Sequence, residues 1–285
     1  MKIGFIGLGI MGESMSENIV KKHNDKVYVS DLEKAQVEKL AEVGAIACEN
    51  NSEVAKNADI IITMVPKSEH SKAVYKEILP YLNETKLCID MSTIDPDVSV
   101  EISDFVKETG ADFIDAPVVK SKPAAISGTL GIYVGGSKNA FEKARPILSY
   151  MGSNIIHMGE NGKGLVMKIC HNTLVSEIQN GVNETIALAQ KMGISIDDFA
   201  TAVSYGGGQN FYLDGQAQNI KNENWTTAFS LENMHKDLGI CQRLSKVQDF
   251  SMPGMENAKA VYDKGIAEGI GKEDFRATYK IVKAR

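Results

Sequence analysis

Paired cysteines are missing from this sequence. Cys48, Cys88, Cys170 and Cys241 stand far apart with no CxxC spacing, so no disulfide framework is encoded, and all but Cys48 lie in apolar or helical settings where a free thiol packs as a small hydrophobe. The thiols read as reduced and the protein as cytoplasmic. A basic excess is missing too: 31 Lys and Arg against 37 Asp and Glu leave a net charge of -6, which argues against the counterion-replacing surface that a nucleic acid requires. No apolar run approaches the length of a membrane span, and no basic leader precedes the first strand, which begins at Lys2; a membrane and a secretory route are both unexpected. There is no HxxxH spacing and no Cys/His/Asp cluster, so no metal site is expected.

What the chain does have is apolar content in a regular alternation. At 285 residues and 43% hydrophobic composition it can bury one generous core or two smaller ones. The opening "KIGFIGLGIMGESMSENIV" is an apolar run with Ile3, Phe5 and Ile6, then Gly7, Gly9 and Gly12 in GxGxxG spacing, then a helical pattern with Met15 and Ile19. Each glycine answers a different need: Gly7 permits the turn, Gly9 lets the backbone approach a pyrophosphate, and Gly12 lets the helix pack closely on the strand. Phosphates would rest on the helix N-terminus, making Gly7, Leu8, Gly9, Ile10, Met11 and Gly12 the expected cofactor contacts. A second strand, "KVYVSD", ends in Asp31, at the spacing of a carboxylate that hydrogen-bonds an adenosine ribose and repels a 2'-phosphate. NAD is the expected cofactor, with NADP left open by nearby Lys34. The plain alternative is a glycine turn in a βαβ unit that holds nothing.

Buried strands follow at 59–64 and 86–91, with helical patterns at 51–57, 68–78 and 96–108. Near-continuous apolar strands alternating with helices predict a parallel sheet covered on both faces, with ligands beyond the carboxyl ends of the strands. Met64, Val65 and Pro66, and Ser92 and Thr93, lie at those ends and are candidate cofactor contacts, although Ser92 or Thr93 would serve equally well as a cap for the helix beginning near Pro96. A helix of about four turns and the strand "NIIHMG" come next. After them "GKGLVMKICHNTLVSEIQNGVNETIALAQKMG" keeps helical spacing from Leu165 to Leu188, and 195–285 reads as helices only. The predicted fold class is α/β: a Rossmann-type nucleotide-binding domain over 1–162, then a long interdomain helix and an all-α domain over 163–285, with a homodimer or homotetramer expected through the helical part.

Lys168 and Asn172 are four residues apart and share one helix face. A lysine among Val166, Met167 and Ile169 loses hydration if it turns into a cleft, the condition for proton exchange near neutral pH; a snorkelling surface lysine is the plain alternative. Together with Gly162 and Gly164 these residues form the phrase GxGxxxKxxxN.

With "GFIGLGIMG", "DAPV" and "GTL", "GKGLVMKICHN", and "HKDLG" at 235–239 in this order, the chain resembles the β-hydroxyacid dehydrogenase family over essentially its whole length. The resemblance implies reversible hydride transfer between NAD(P) and a small hydroxy acid or semialdehyde. It also implies Lys168 as general acid/base, Asn172 orienting the substrate, and Lys236 and Asp237 closing the site, Lys236 on the cofactor and Asp237 on the substrate. Where family members read "DAPVSGG", this chain has Val119, Lys120 and Ser121 in an unshifted frame. A cation and a hydroxyl there favour a strongly anionic head group, and in this the loop resembles that of the sulfolactaldehyde reductases. The expected partner is therefore a small anionic hydroxy acid or aldehyde, with a sulfonate such as 3-sulfolactaldehyde ahead of a carboxylate semialdehyde; Lys120 pointing to solvent is the plain alternative. A reading of another class, a non-catalytic dinucleotide-binding interaction module, is opposed by the presence of both Lys168 and Asn172.

Overall fold

The computed structural model describes residues 1–285. Its first half alternates strand and helix: β1 (Ile3–Ile6), α1 (Gly12–Lys22), β2 (Val27–Ser30), α2 (Lys34–Glu42), β3 (Ile46–Ala47), α3 (Asn51–Asn57), β4 (Ile60–Thr63), α4 (Ser68–Ile78), β5 (Leu87–Asp90), α5 (Pro96–Lys107) and β6 (Asp112–Asp115). Then come β7 (Val118–Val119), α6 (Lys122–Ser127), β8 (Leu130–Gly135), α7 (Lys138–Leu148) and β9 (Gly152–Gly159).

The strands lie in the order β3-β2-β1-β4-β5-β6-β8-β7, with β9 paired to β8. From β3 to β6 every pairing is parallel. The expected parallel sheet is present, and only beyond it, at β8, does the direction reverse. β8 runs antiparallel to both β6 and β7, because the short loop-and-helix segment after β7 turns the chain back on itself instead of crossing over the sheet. That segment contains α6, unrecognised in the sequence: Pro123 opens it and Gly128, at φ 66, ends it in the left-handed cap that favours glycine. The four turns expected of α7 reduce to 11 residues.

The period-two alternation of each strand divides its side chains between two layers. Ile3, Phe5, Ile60, Ile62, Leu87, Ile89 and Ile114 enter one core, while their neighbours Ile6, Ile61, Cys88 and Phe113 enter the other. Because both faces are covered, the strands are apolar along most of their length, with polar residues such as Ser30, Thr63, Asp90 and Asp115 at their carboxyl ends. Each fully buried Ile or Phe contributes about 1.5–3 kcal/mol, so a one-residue register slip would move a whole face into the wrong layer.

α8 (Lys163–Lys191) follows, then α9 (Ile196–Val203), α10 (Phe211–Lys221), α11 (Leu231–Val247), α12 (Pro253–Ala267) and α13 (Thr278–Lys283). The compact units are Met1–Lys168 and Ile169–Arg285. The second has cores of its own, around Ile186, Leu213 and Ile220, and around Leu231, Leu238 and Tyr262. No helix is long and apolar enough to cross a membrane. One expectation about the thiols is corrected: Cys170 is exposed on α8, whereas Cys48 is buried, because Cys170 falls on the exposed side of its helix with Leu174 and Cys48 packs into the core with Ile6, Tyr28 and Val54.

Candidate active site

The strand order reverses between β1 and β4, and such a switch point opens a crevice at the carboxyl ends of the strands. The glycine turn is built into it. Gly7 has φ 96, and a Cβ there would fall on the Met64 carbonyl oxygen; a Cβ at Gly12 would fall on the Gly7 carbonyl oxygen. At Gly9 nothing lies within 4 Å of where a Cβ would stand. Two glycines therefore permit close packing and the third leaves open space in front of the turn. No side chain caps α1, so its first-turn amides suit an anion. Asp31, at the end of β2, accepts from the Leu8 amide with one oxygen and from the Glu33 amide (2.8 Å) with the other. The carboxylate is thereby held beside the turn, and each oxygen keeps a further lone pair for a hydroxyl. Leu8 and Gly12 are buried and Ile10 is exposed. The residues fit a dinucleotide.

At the next two strand ends the structure resolves the choice between capping and another role. α5 is capped by Asp95, which accepts from Asp97. Ser92 is buried, and its hydroxyl accepts from the Val65 amide (2.8 Å), while the Ser92 amide donates to Asp90 (3.0 Å). Asp90 also accepts from Thr63 (2.9 Å), which meets the Tyr75 hydroxyl. Sequence reasoning missed this network. It orders the Met64–Val65–Pro66 segment from beneath, and burial pushes the Asp90 carboxyl above its ordinary pKa despite the bonds from Ser92 and Thr63. Thr93 is half-buried and Pro66 exposed.

The loop after β6 carries the predicted substrate residues. Val119 is buried in β7, opposite Gly131, where a Cβ would collide with it. Lys120 is exposed and sits at φ 74, a left-handed conformation rare outside glycine. Its ammonium donates to the Thr129 carbonyl (3.0 Å), leaving two N–H groups for other acceptors. Ser121 stands at the N-cap of α6 in extended backbone, without a side-chain cap bond.

Lys168 is 7% exposed and Asn172 5% exposed, both on α8. A lysine is rarely so buried unless paired, and the solvent-facing alternative does not apply. In the second unit the Asn172 amide donates to Asp237 (2.6 Å). The other oxygen of that buried carboxylate lies 3.5 Å from the Lys236 ammonium, an ion pair without hydrogen-bond geometry. His235 pairs with Asp263 (2.6 Å).

A further residue escaped the sequence reading although it stood in a quoted motif. Asp115 is 0% exposed at the end of β6. One of its oxygens accepts the Gly162 amide (2.7 Å) and the other the Leu165 amide (2.9 Å). Burial raises its pKa to about 6, against the two amide bonds that lower it.

Comparison with known proteins bears on all of this. Residues 2–159 match the model of the NAD binding domain of 6-phosphogluconate dehydrogenase, and residues 162–282 match that described as NAD-binding of NADP-dependent 3-hydroxyisobutyrate dehydrogenase. The chain is 33% identical to 2-(hydroxymethyl)glutarate dehydrogenase of Eubacterium barkeri, over 99% of this chain and 94% of the relative. It is 32% identical to glyoxylate/succinic semialdehyde reductase 1 of Arabidopsis thaliana, over 99% of both. Among solved structures, Mycobacterium tuberculosis 3-hydroxyisobutyrate dehydrogenase with L-serine superposes with a TM-score of 0.91 at 28% identity, over 99% of each chain.

Proposed function

The chain belongs to the β-hydroxyacid dehydrogenase family of NAD(P)-dependent oxidoreductases acting on CH–OH groups, and from that premise we propose that it interconverts a small anionic 3-hydroxy compound and its aldehyde with Lys168 as general acid/base. The observation that carries this reading is the burial of Lys168 four residues before a buried Asn172 on one helix. Burying an ammonium and an amide together on one helix face costs desolvation that packing alone does not require.

The bound dinucleotide supplies the two-electron carrier. Gly7 to Gly12 would hold its pyrophosphate and Asp31 its ribose, which favours NAD over NADP. The protein's own task is proton management. In the oxidative direction the Lys168 Nζ accepts the substrate hydroxyl proton; in the reductive direction it returns a proton to the carbonyl oxygen. Asn172, oriented by Asp237, holds the substrate, and Lys236 belongs to the cofactor side. A positioned acid/base of this kind contributes about two to four powers of ten in rate.

The head group is read from Val119, Lys120 and Ser121. A non-glycine residue in the left-handed region costs roughly 1–2 kcal/mol, so Lys120 at φ 74 suggests a side chain retained for function. Two remaining ammonium N–H groups and the hydroxyl of the next residue, Ser121, suit a sulfonate, such as that of 3-sulfolactaldehyde. A carboxylate is the second reading, favoured by the substrates named for the relatives. Exposed Leu188, Met192 and Phe211 support a homodimer or homotetramer, and four free thiols suit a cytoplasmic setting.

Steady-state assays of 3-sulfolactaldehyde beside succinic, tartronic and methylmalonic semialdehydes test the head group. A better than about tenfold preference for a carboxylate ends the sulfonate reading, since one productive ion pair is worth at least roughly that factor. Lys168→Ala tests the chemistry: turnover is expected to vanish with cofactor affinity intact, and turnover near the parent value overturns the assignment.

A further inference from the structure

We propose that Asp115 is a positioning residue for this reaction, its carboxylate fixing the first turn of α8, and hence Lys168, against the loop that binds the substrate. The inference rests on the reading of Lys168 as the acid/base. Its physical basis is the manner in which α8 begins. The first intrahelical bond runs from the Val166 amide to the Gly162 carbonyl, which makes Gly162 the N-cap and Leu165 the third helical residue. In a capping box those two amides are satisfied by side chains of the helix's own first turn, a hydroxyl at the N-cap and a carboxylate at the third position. Here the N-cap is glycine and the third position leucine, and neither can do it. Asp115 supplies both acceptors from β6, 47 and 50 residues away.

The surroundings are shaped to this bond pair. A Cβ at Gly135 would strike one Asp115 oxygen, and a Cβ at Gly164 would stand 2.8 Å from the other and 2.5 Å from the Tyr133 carbonyl. Asn161, just before the helix, reinforces the same junction by donating to the Phe113 carbonyl (3.0 Å) on β6. Lys168 follows Leu165 by three residues, on the same side of the helix. In the other direction the chain runs from Asp115 directly through Ala116 and Pro117 into Val119, Lys120 and Ser121. One buried carboxylate thus joins the proton carrier and the substrate loop, and a rotation or slide of the first turn would displace Lys168 relative to that loop.

Ionisation matters because a protonated carboxyl can accept both amides only at the loss of one good acceptor. The charged group facing Asp115 from β5 is Asp90, its register partner, whose like charge, with burial, opposes ionisation; α8 presents the two amide donors and β8 presents Gly135. Asp115 titrates at about 6, so its positioning effect is complete above that pH and declines as pH falls through it.

The experiment compares the parent, Asp115→Asn and Lys168→Ala, each loaded with cofactor. For Asp115→Asn, which keeps the shape but offers one acceptor, kcat is expected to fall about ten- to a hundredfold, the scale of a 1 Å misplacement. Cofactor affinity should stay within about twofold, and the parent's acid limb near pH 6 should disappear. A parent-like kcat and pH profile in Asp115→Asn, with Lys168→Ala inactive, overturns the positioning role alone; an active Lys168→Ala overturns the acid/base reading instead. A second measurement stands independently of the variant's folding. The carboxyl carbon resonance of Asp115 in the parent protein is expected to titrate with the same midpoint as kcat, and a kcat that stays flat through that midpoint refutes the proposal.

Discussion

Asparagine at position 115 should change how the stability of the first unit depends on pH. The Asp115 pKa rises from an ordinary 3.8 to about 6 on folding, because burial outweighs the amide bonds. The folded state therefore binds the proton more tightly than the unfolded chain, and this group's stabilisation is full below pH 3.8 and is lost as pH rises through 6. Linkage with these two values gives a contribution of about 1.4 kcal/mol at pH 5 and about 0.1 kcal/mol at pH 7. Asparagine does not titrate. The stability difference between Asp115→Asn and the parent should accordingly move by about 1.3 kcal/mol in the variant's favour between pH 5 and pH 7. Urea unfolding followed by far-UV circular dichroism at the two pH values measures it. The chain's one tryptophan, Trp225, lies in the second unit, so its fluorescence supplies a reference transition. A difference constant within about 0.3 kcal/mol, smaller than a quarter of the linkage value, would show that the carboxylate is not penalised by burial and would remove the physical basis for its titration near neutrality.

Two other substitutions probe separate parts of the molecule. Gly12→Ala places a methyl on the Gly7 carbonyl oxygen, so a loss of about 1–3 kcal/mol is expected along with at least a tenfold weaker dinucleotide affinity; a melting temperature and a fluorescence titration equal to the parent's would contradict the packing role of this glycine. Lys120→Gly relieves a left-handed lysine at φ 74 while loosening the unfolded chain, so stability should be unchanged or higher by up to about 1 kcal/mol. Its ratio of sulfonate to carboxylate turnover should drop about tenfold, and an unmoved ratio would free Lys120 of any part in selectivity.

Local pattern made much of this protein legible. The glycine turn, Asp31 and the apolar strands could be read from one stretch of chain each, because turn geometry and two-residue alternation are properties of near neighbours. Lys168 and Asn172 could be placed on one face because four residues make about one helical turn. Harder to read were short elements with few residues to carry a period: β3 has two residues, both exposed, and α6 has six. The antiparallel course of β8 was hidden for another reason, since strand direction depends on where the chain goes between strands and leaves no mark on the strands' composition.

Partnerships across long separations lay beyond any such reading. Ser92 stood in the sequence as a cap or a cofactor contact; the fold gave its hydroxyl to Val65, 27 residues earlier. Lys120 was legible as a cation in a loop, but not that its ammonium would meet the Thr129 carbonyl. Asp115 was visible only as a letter in a motif until β6 and α8 met and two helix amides turned toward it. Sequence alone determined which longer segments become strands and helices and which side chains are suited to chemistry, since these follow from covalent geometry and the neighbouring residues. Tertiary structure alone decided which buried polar group satisfies which, because a hydrogen bond forms only between atoms brought within about 3 Å, and that proximity is a property of the assembled layers.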